Sequence, residues 1–220
     1  MSELNDIVGP KRLRLDHLRR FAPKKIAVEC CDLCNVPVGS VHRHLLELKT
    51  ERILCACDPC GVLFGNDSRA RYKRIPRDIK RLDDFQLNDV QWESLAIPIG
   101  LAFFFRNSSA EKTVAFYPSP AGATESLLDL SAWQDLLNDN SALATMEPDV
   151  EALLVNRIKT AREYYIVPID ECYKLVGIIR TNWRGVSGGT EVWKSIDQFF
   201  CALRERAVRP MQTGAANATA

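Results

Sequence analysis

Apolar positions recur along this chain in two distinct rhythms, and the rhythm changes more than once. Lys11 to Ala22 follows Pro10 and carries Leu15, Leu18 and Phe21 three residues apart with basic residues between them, which predicts a short amphipathic helix ended by Pro23. Val41 to Leu48 then reads as extended, with Leu46 and Leu48 on one face. Lys49-Thr-Glu-Arg52 is a polar turn, and Ile53-Leu-Cys-Ala-Cys57 is a second extended run. Together these predict a β-hairpin that runs directly into Asp58-Pro59-Cys60-Gly61.

Further on, Ile99 to Phe105 and Thr113 to Tyr117 are two strong β patterns joined by the polar loop Asn107 to Lys112, a second hairpin, with Pro118, Pro120 and Gly122 ending it. Ser131 is placed to cap a helix carrying Trp133, Leu136 and Leu137. Val150 to Val155 and Tyr164 to Ile169 are rich in β-formers and read as strands. From Asp170 the period switches to a helix, with Leu175, Ile178, Ile179 and Trp183 as its stripe. The glycine-rich stretch Gly185 to Gly189 leads to a last helix from Thr190, where Trp193, Ile196, Phe199, Phe200 and Leu203 recur at helical spacing. The expected fold class is α+β: a small zinc-ribbon-like β-hairpin module, then a mixed sheet with C-terminal helices. The expected organisation is residues 1–68 as N-terminal helix and four-cysteine module, 69–210 as the body, and 211–220 as a frayed tail.

Composition changes this picture little. The chain has 220 residues, 46% hydrophobic and 26% charged, ordinary for a globular protein with a real core. Its longest mostly apolar stretch, Leu95 to Phe105, is interrupted by Pro98 and Gly100 and is too short to span a bilayer, and the first residues do not read as a signal peptide, so a cytoplasmic protein is expected. Charge is more informative. The net value is +1, yet residues 1–81 hold 17 Lys and Arg against 10 Asp and Glu, while the remainder holds 12 against 18. All three histidines, His17, His42 and His44, lie in the basic part. Two regions of opposite sign suggest two tasks, or a basic face for a partner.

The cysteines carry the strongest chemical signal. Six of the eight fall between Cys30 and Cys60, which in a reducing compartment points to metal before disulfides. Cys31-Asp-Leu-Cys34 and Cys57-Asp-Pro-Cys60-Gly61 are two Cys-x-x-Cys turns separated by the predicted hairpin. Each turn supplies two converging sulfurs, and four thiolates at about 2.3 Å satisfy tetrahedral zinc. Gly61 fits a turn that needs positive φ, and Asn35 takes that place after the first knuckle. Cys31, Cys34, Cys57 and Cys60 are therefore the expected ligands of one structural zinc. Iron, as a rubredoxin-type centre or an iron–sulfur cluster, would use the same sulfurs. Cys55 alternates with Cys57 and points to the same side, and Cys30, His42 and His44 lie close enough in sequence to exchange for a ligand. A closed four-thiolate site leaves no position for substrate, so its role is structural.

Other patterns are weaker. Arg69, Arg71, Lys73, Arg74, Arg77, Lys80 and Arg81, with Tyr72 among them, form a strip able to grip nucleic-acid phosphates, or a charged edge strand that guards against aggregation. Arg184 to Thr190 is a glycine-rich loop best read as a helix connection with Thr190 as cap. Asp170 reads as a helix cap and Cys172 as a packed residue, and Trp183, Trp193, Phe199 and Phe200 as core aromatics. No catalytic constellation emerges.

Cys31-Asp-Leu-Cys34, His42-Arg-His-Leu-Leu-Glu47 and Leu54-Cys-Ala-Cys57-Asp-Pro-Cys60 resemble the N-terminal signature of a bacterial family of unknown function. The run Val167 to Gly177, with Trp183-Arg-Gly185, Gly188-Gly189 and Glu191-Val-Trp193, resembles its C-terminal part. Members of that family are encoded in accessory gene clusters of some uptake NiFe hydrogenases. The resemblance implies an accessory or maturation role with a protein partner, a hydrogenase or one of its maturation factors, and it lends no catalytic residues.

Overall fold

The computed structural model describes residues 28–65, 71–127, 130–185 and 187–208. The helix expected over 11–22 and the tail 211–220 lie outside the described residues.

The first hairpin is β1 (Arg43–Glu47) and β2 (Arg52–Ala56), antiparallel, with His44 opposite Cys55 and Leu46 opposite Ile53. A seven-residue helix, α1 (Asp58–Phe64), follows with Pro59 in its first turn. Its brevity left no period to read in the sequence. The chain returns as β3 (Tyr72–Arg74), which pairs with the free side of β1, so the three-stranded sheet has the order β2-β1-β3.

The body is a six-stranded sheet. In chain order come β4 (Lys80–Arg81), the short helix α2 (Asp89–Ser94), β5 (Leu101–Asn107), β6 (Lys112–Ser119), β7 (Gly122–Ser126), α3 (Leu130–Asp139), β8 (Glu151–Asn156), β9 (Glu163–Pro168), α4 (Ile169–Asn182) and α5 (Gly189–Arg206). The spatial order is β4-β9-β8-β5-β6-β7. Pairs between these strands are antiparallel, and Lys80 and Val208 add an isolated parallel bridge. Among the described residues no helix is long and apolar enough to cross a membrane.

Alternation of side chains across the strands divides the core in two. Phe103, Ala152, Leu154, Tyr165 and Val167 meet the stripes of α4 and α5: Cys172, Leu175 and Ile179 from one, Val192, Ile196, Phe199 and Phe200 from the other. Ala102, Phe104, Leu153, Val155 and Ile166 face the other way, towards Trp133 and Leu136 of α3. Helices cover both faces, which is why the central strands read as continuous apolar runs rather than alternating ones.

Three local expectations change. Strand β6 does not stop before Pro118: beyond the pair Phe103–Phe116 it has only β7 beside it, where a residue without an N–H is tolerated. Helix α5 is preceded by Gly188 in the left-handed region at φ 85°, not capped by Thr190. Trp193 is 38% exposed rather than buried, and its indole N–H donates to the Ser187 carbonyl while that of Trp183 donates to Gly185. The two indoles therefore clasp the glycine-rich loop, which has an ordinary structural use.

Candidate metal centre

The first knuckle is a tight turn closed by Cys31 N–H to Val36 O and Asn35 N–H to Cys31 O, both 2.8 Å, with Asn35 at φ 60° as the spacing predicts. Asp32 locks it onto β2. Its N–H donates to Cys55 O at 2.8 Å, and its carboxylate accepts from Cys55 N–H at 2.6 Å. The second knuckle is the start of α1. Gly61 lies within that helix and has no positive φ; its role is space, because a Cβ there would come within 2.6 Å of the Arg43 side chain. The Arg43 guanidinium in turn donates to Asp58 at 2.6 Å. The sequence located this glycine correctly but for a different physical reason.

These turns bring Cys31, Cys34, Cys57 and Cys60 together, with their ligand atoms all within 4.8 Å of one another, a group able to hold a metal ion. The Sγ atoms of Cys34 and Cys57 are 3.6 Å apart. Cys31 and Cys60 are buried, Cys57 is half-buried and Cys34 is exposed. Burial acts to raise the Cys31 thiol, but backbone amides of Cys57, Leu33 and Cys34 outweigh it and bring it down to about 6. Cys60 is pushed up to about 12 by burial and by the thiols of Cys57, Cys34 and Cys31. The two buried thiols are thus pushed in opposite directions, Cys31 towards ionisation and Cys60 away from it. A divalent ion reverses that balance, since a coordinating thiol is deprotonated outright.

The alternation that should have put Cys55 beside Cys57 fails because β2 ends at Ala56. Cys57 is the extended residue before α1 and turns towards the other thiols. Cys55 stays on the opposite face of the hairpin, grouped instead with His42 and His44, their ligand atoms also within 4.8 Å of each other. Burial, then Asp32, Glu29 and Cys31, raises the Cys55 thiol. Cys30 belongs to neither group; its thiol lies 3.5 Å from the Val28 carbonyl. Asp170, which the sequence pattern reads as a helix cap, is 2.7 Å from His44 Nδ1 across 126 residues. No local pattern could have revealed that pair.

The basic strip is divided between two edge strands, and much of it is matched by acid. Arg71 pairs with Glu47, Lys73 with Glu147 at 3.3 Å, Lys80 with Glu151 at 3.2 Å and Arg81 with Asp83 at 2.7 Å. Arg69 lies outside the described residues. Cys172 is fully buried, and burial, with Asp170 and Glu171 nearby, holds its thiol far above the ordinary range, as expected of a packed residue.

A family model described as a family of unknown function, DUF5947, matches residues 30–207. No curated protein matches the chain, and no solved structure does.

Proposed function

This chain belongs to the DUF5947 family of unknown function, and we propose that it is a non-enzymatic accessory protein whose hairpin module is held by one zinc ion on Cys31, Cys34, Cys57 and Cys60 and docks on a protein partner. The observation that carries the reading is the convergence of two buried and two more accessible cysteines from the segments before and after one hairpin. A four-thiolate shell is closed, which suits a structural role. Directly behind Cys60, helix α1 exposes Val62, Leu63 and Phe64. Three consecutive exposed apolar residues, carried on a metal-pinned helix, supply the kind of surface a protein partner buries.

The partner class we propose is a metalloenzyme under assembly, a hydrogenase in the first instance, on the resemblance of both ends of the chain to the family described above. Internal pairing of Arg71, Lys73, Lys80 and Arg81 weighs against nucleic acid as the partner. The test is genetic and chemical together. Purified protein should hold zinc on the four thiolates and show no visible iron band. Deleting the gene in a hydrogenase-producing strain should lower hydrogenase activity without changing transcript levels, with rescue by the wild-type chain but not by Leu63→Ser. Unchanged activity in the deletion strain would refute the assembly role, and a coloured iron protein would refute the zinc assignment.

A further inference from the structure

On the opposite face of the same hairpin, we propose a second metal site of different character: a three-ligand, open site formed by His42 Nε2, His44 Nε2 and the Cys55 thiolate, taking a divalent transition ion of borderline softness such as zinc. His44 and Cys55 are directly paired across β1 and β2, and the His42 ring lies edge-on to His44 with centroids 4.7 Å apart. One ligand atom from each of the three lies within 4.8 Å of the others.

The two rings are prepared in the way metal-binding imidazoles are. His42 Nδ1 is 2.8 Å from the Gly39 carbonyl oxygen, and His44 Nδ1 is 2.7 Å from Asp170 Oδ2. A carbonyl and a carboxylate accept, so each Nδ1 carries a proton, and in the neutral ring each Nε2 then presents its lone pair. Carboxylate–histidine and carbonyl–histidine pairs of this kind fix the tautomer and raise ligand basicity. The His42 side chain is only 8% exposed, and its Nε2 is buried with no hydrogen-bond partner among the described residues. A buried nitrogen left in that state costs free energy unless something accepts its lone pair, and a cation shared with His44 and Cys55 does so. On binding, the Cys55 thiol gives its proton to solvent and the sulfur donates to the metal. Acidic groups supply the surrounding field: Glu29 lies 3.8 Å from His42 Nδ1, and Asp32 holds the Cys55 amide.

Three protein ligands leave a fourth position for water or an incoming ligand, unlike the closed thiolate shell. His42 and His44, though not Cys55, line a cleft of about 500 Å³ whose wall includes Arg77, Asp170, Lys174 and Arg206, the route by which an ion or an incoming ligand would reach the site. The site bridges the hairpin and the first turn of α4, and it is built for an exchangeable ion rather than a permanent one.

The experiment is a Co²⁺ titration of the full chain under reducing, anaerobic conditions, followed by absorption and by Zn²⁺ competition. The wild type should take two equivalents: one with the strong thiolate-to-cobalt bands of four sulfurs, and one with a weaker single-thiolate band. His42→Ala and Cys55→Ser should each lose the second equivalent while keeping the first with its spectrum intact, which also shows that the hairpin is folded. Asp170→Asn should retain both and weaken the second about 10- to 100-fold. A single equivalent in the wild type, or two in Cys55→Ser, would overturn the proposal. So would loss of the four-sulfur spectrum in Cys55→Ser, which would place Cys55 among the ligands of the thiolate centre instead. Because the two equivalents are read separately, failure of the four-thiolate assignment is distinguishable from failure of this one.

Discussion

Beneath the cysteine face of the hairpin the buried side chains are Cys31, Leu45, Ala56 and Cys60, so half of that small core is sulfur that is also candidate ligand. Under the six-stranded sheet, by contrast, Phe103, Phe104, Tyr165 and Phe200 are each almost wholly buried among aliphatic neighbours on two covered faces. The body folds by area removed from water, whereas the module has a much smaller apolar core and, on the proposed reading, gains its stability from an ion on the thiols. The boundary between the two regimes runs through one strand: Leu45 of β1 points to the cysteines, while Leu46 joins the body core. With metal on the four thiols as proposed, the module would depend on the ion on one face and be buttressed by the body on the other.

Metal removal should break this comparison most sharply. Structural zinc contributes on the order of 10 kcal/mol or more to small zinc modules. A chelator strong enough to strip the four thiols should greatly accelerate amide exchange over residues 43–56, and leave β8 and β9 protected. Exchange measured by mass spectrometry on peptides from each region decides it, and equal acceleration in both would mean that the two regions share one cooperative unit. Phe104→Ala should do the reverse. Phe104 is fully buried and stacks on Trp133 at 5.2 Å, so its loss should cost about 3–5 kcal/mol and lower the denaturation midpoint of the whole body. Metal content below the transition should stay at the wild-type value.

Leu46→Ala sharpens the comparison at the seam. Loss of a buried leucine costs roughly 2–5 kcal/mol, and Leu46, slightly exposed at the edge of its cluster, belongs at the lower end. Its signature should be uncoupling. Metal-loaded protein should keep the thiolate shell while exchange rises along β1 and at Ile75 and Ile79, which pack in the same cluster. A change confined to the body, with β1 unaffected, would show that Leu46 does not join the two.

Many of the elements on either side are visible in the sequence, and those that are not have physical reasons. Strands Leu101–Asn107, Glu151–Asn156 and Glu163–Pro168 and helices α4 and α5 all carry long apolar runs or helical stripes, and the expected elements overlie them closely. Short elements escape, because six or seven residues cannot establish a period: α1 and α2 are one to two turns long, and α2 is announced only by the reciprocal cap between Asn88 and Gln91. The two CxxC turns identified the thiol group from spacing alone. The partition of Cys55 from Cys57 did not follow from alternation, because it depends on where β2 stops, one residue before Cys57. The His44–Asp170 pair is a contact between β1 and α4, invisible to any reading that moves along the chain.

The smallest effect tests whether the module owes anything to charge. Glu47, at the end of β1, accepts from Thr50 Oγ1 and from the Arg71 guanidinium, and so ties the hairpin turn to the start of β3. The Thr50 hydroxyl, then Arg71, holds the Glu47 carboxyl below its ordinary value. A carboxyl depressed in the folded state contributes stability that is fully present above its unfolded pKa of about 4.3 and is lost as pH falls through the lower folded value. Glu47→Gln keeps the size and one acceptor but cannot ionise. Exchange rates over residues 43–56 should therefore differ between wild type and variant at pH 6 to 7 and converge as the solution is acidified below about pH 4. Metal held on the thiols as proposed would leave both chains on acidification, so the difference between them, not either rate alone, carries the Glu47 contribution. A difference that persists unchanged into acid would mean that the Thr50 and Arg71 contacts act through shape, and that the cysteine face is held by sulfur alone.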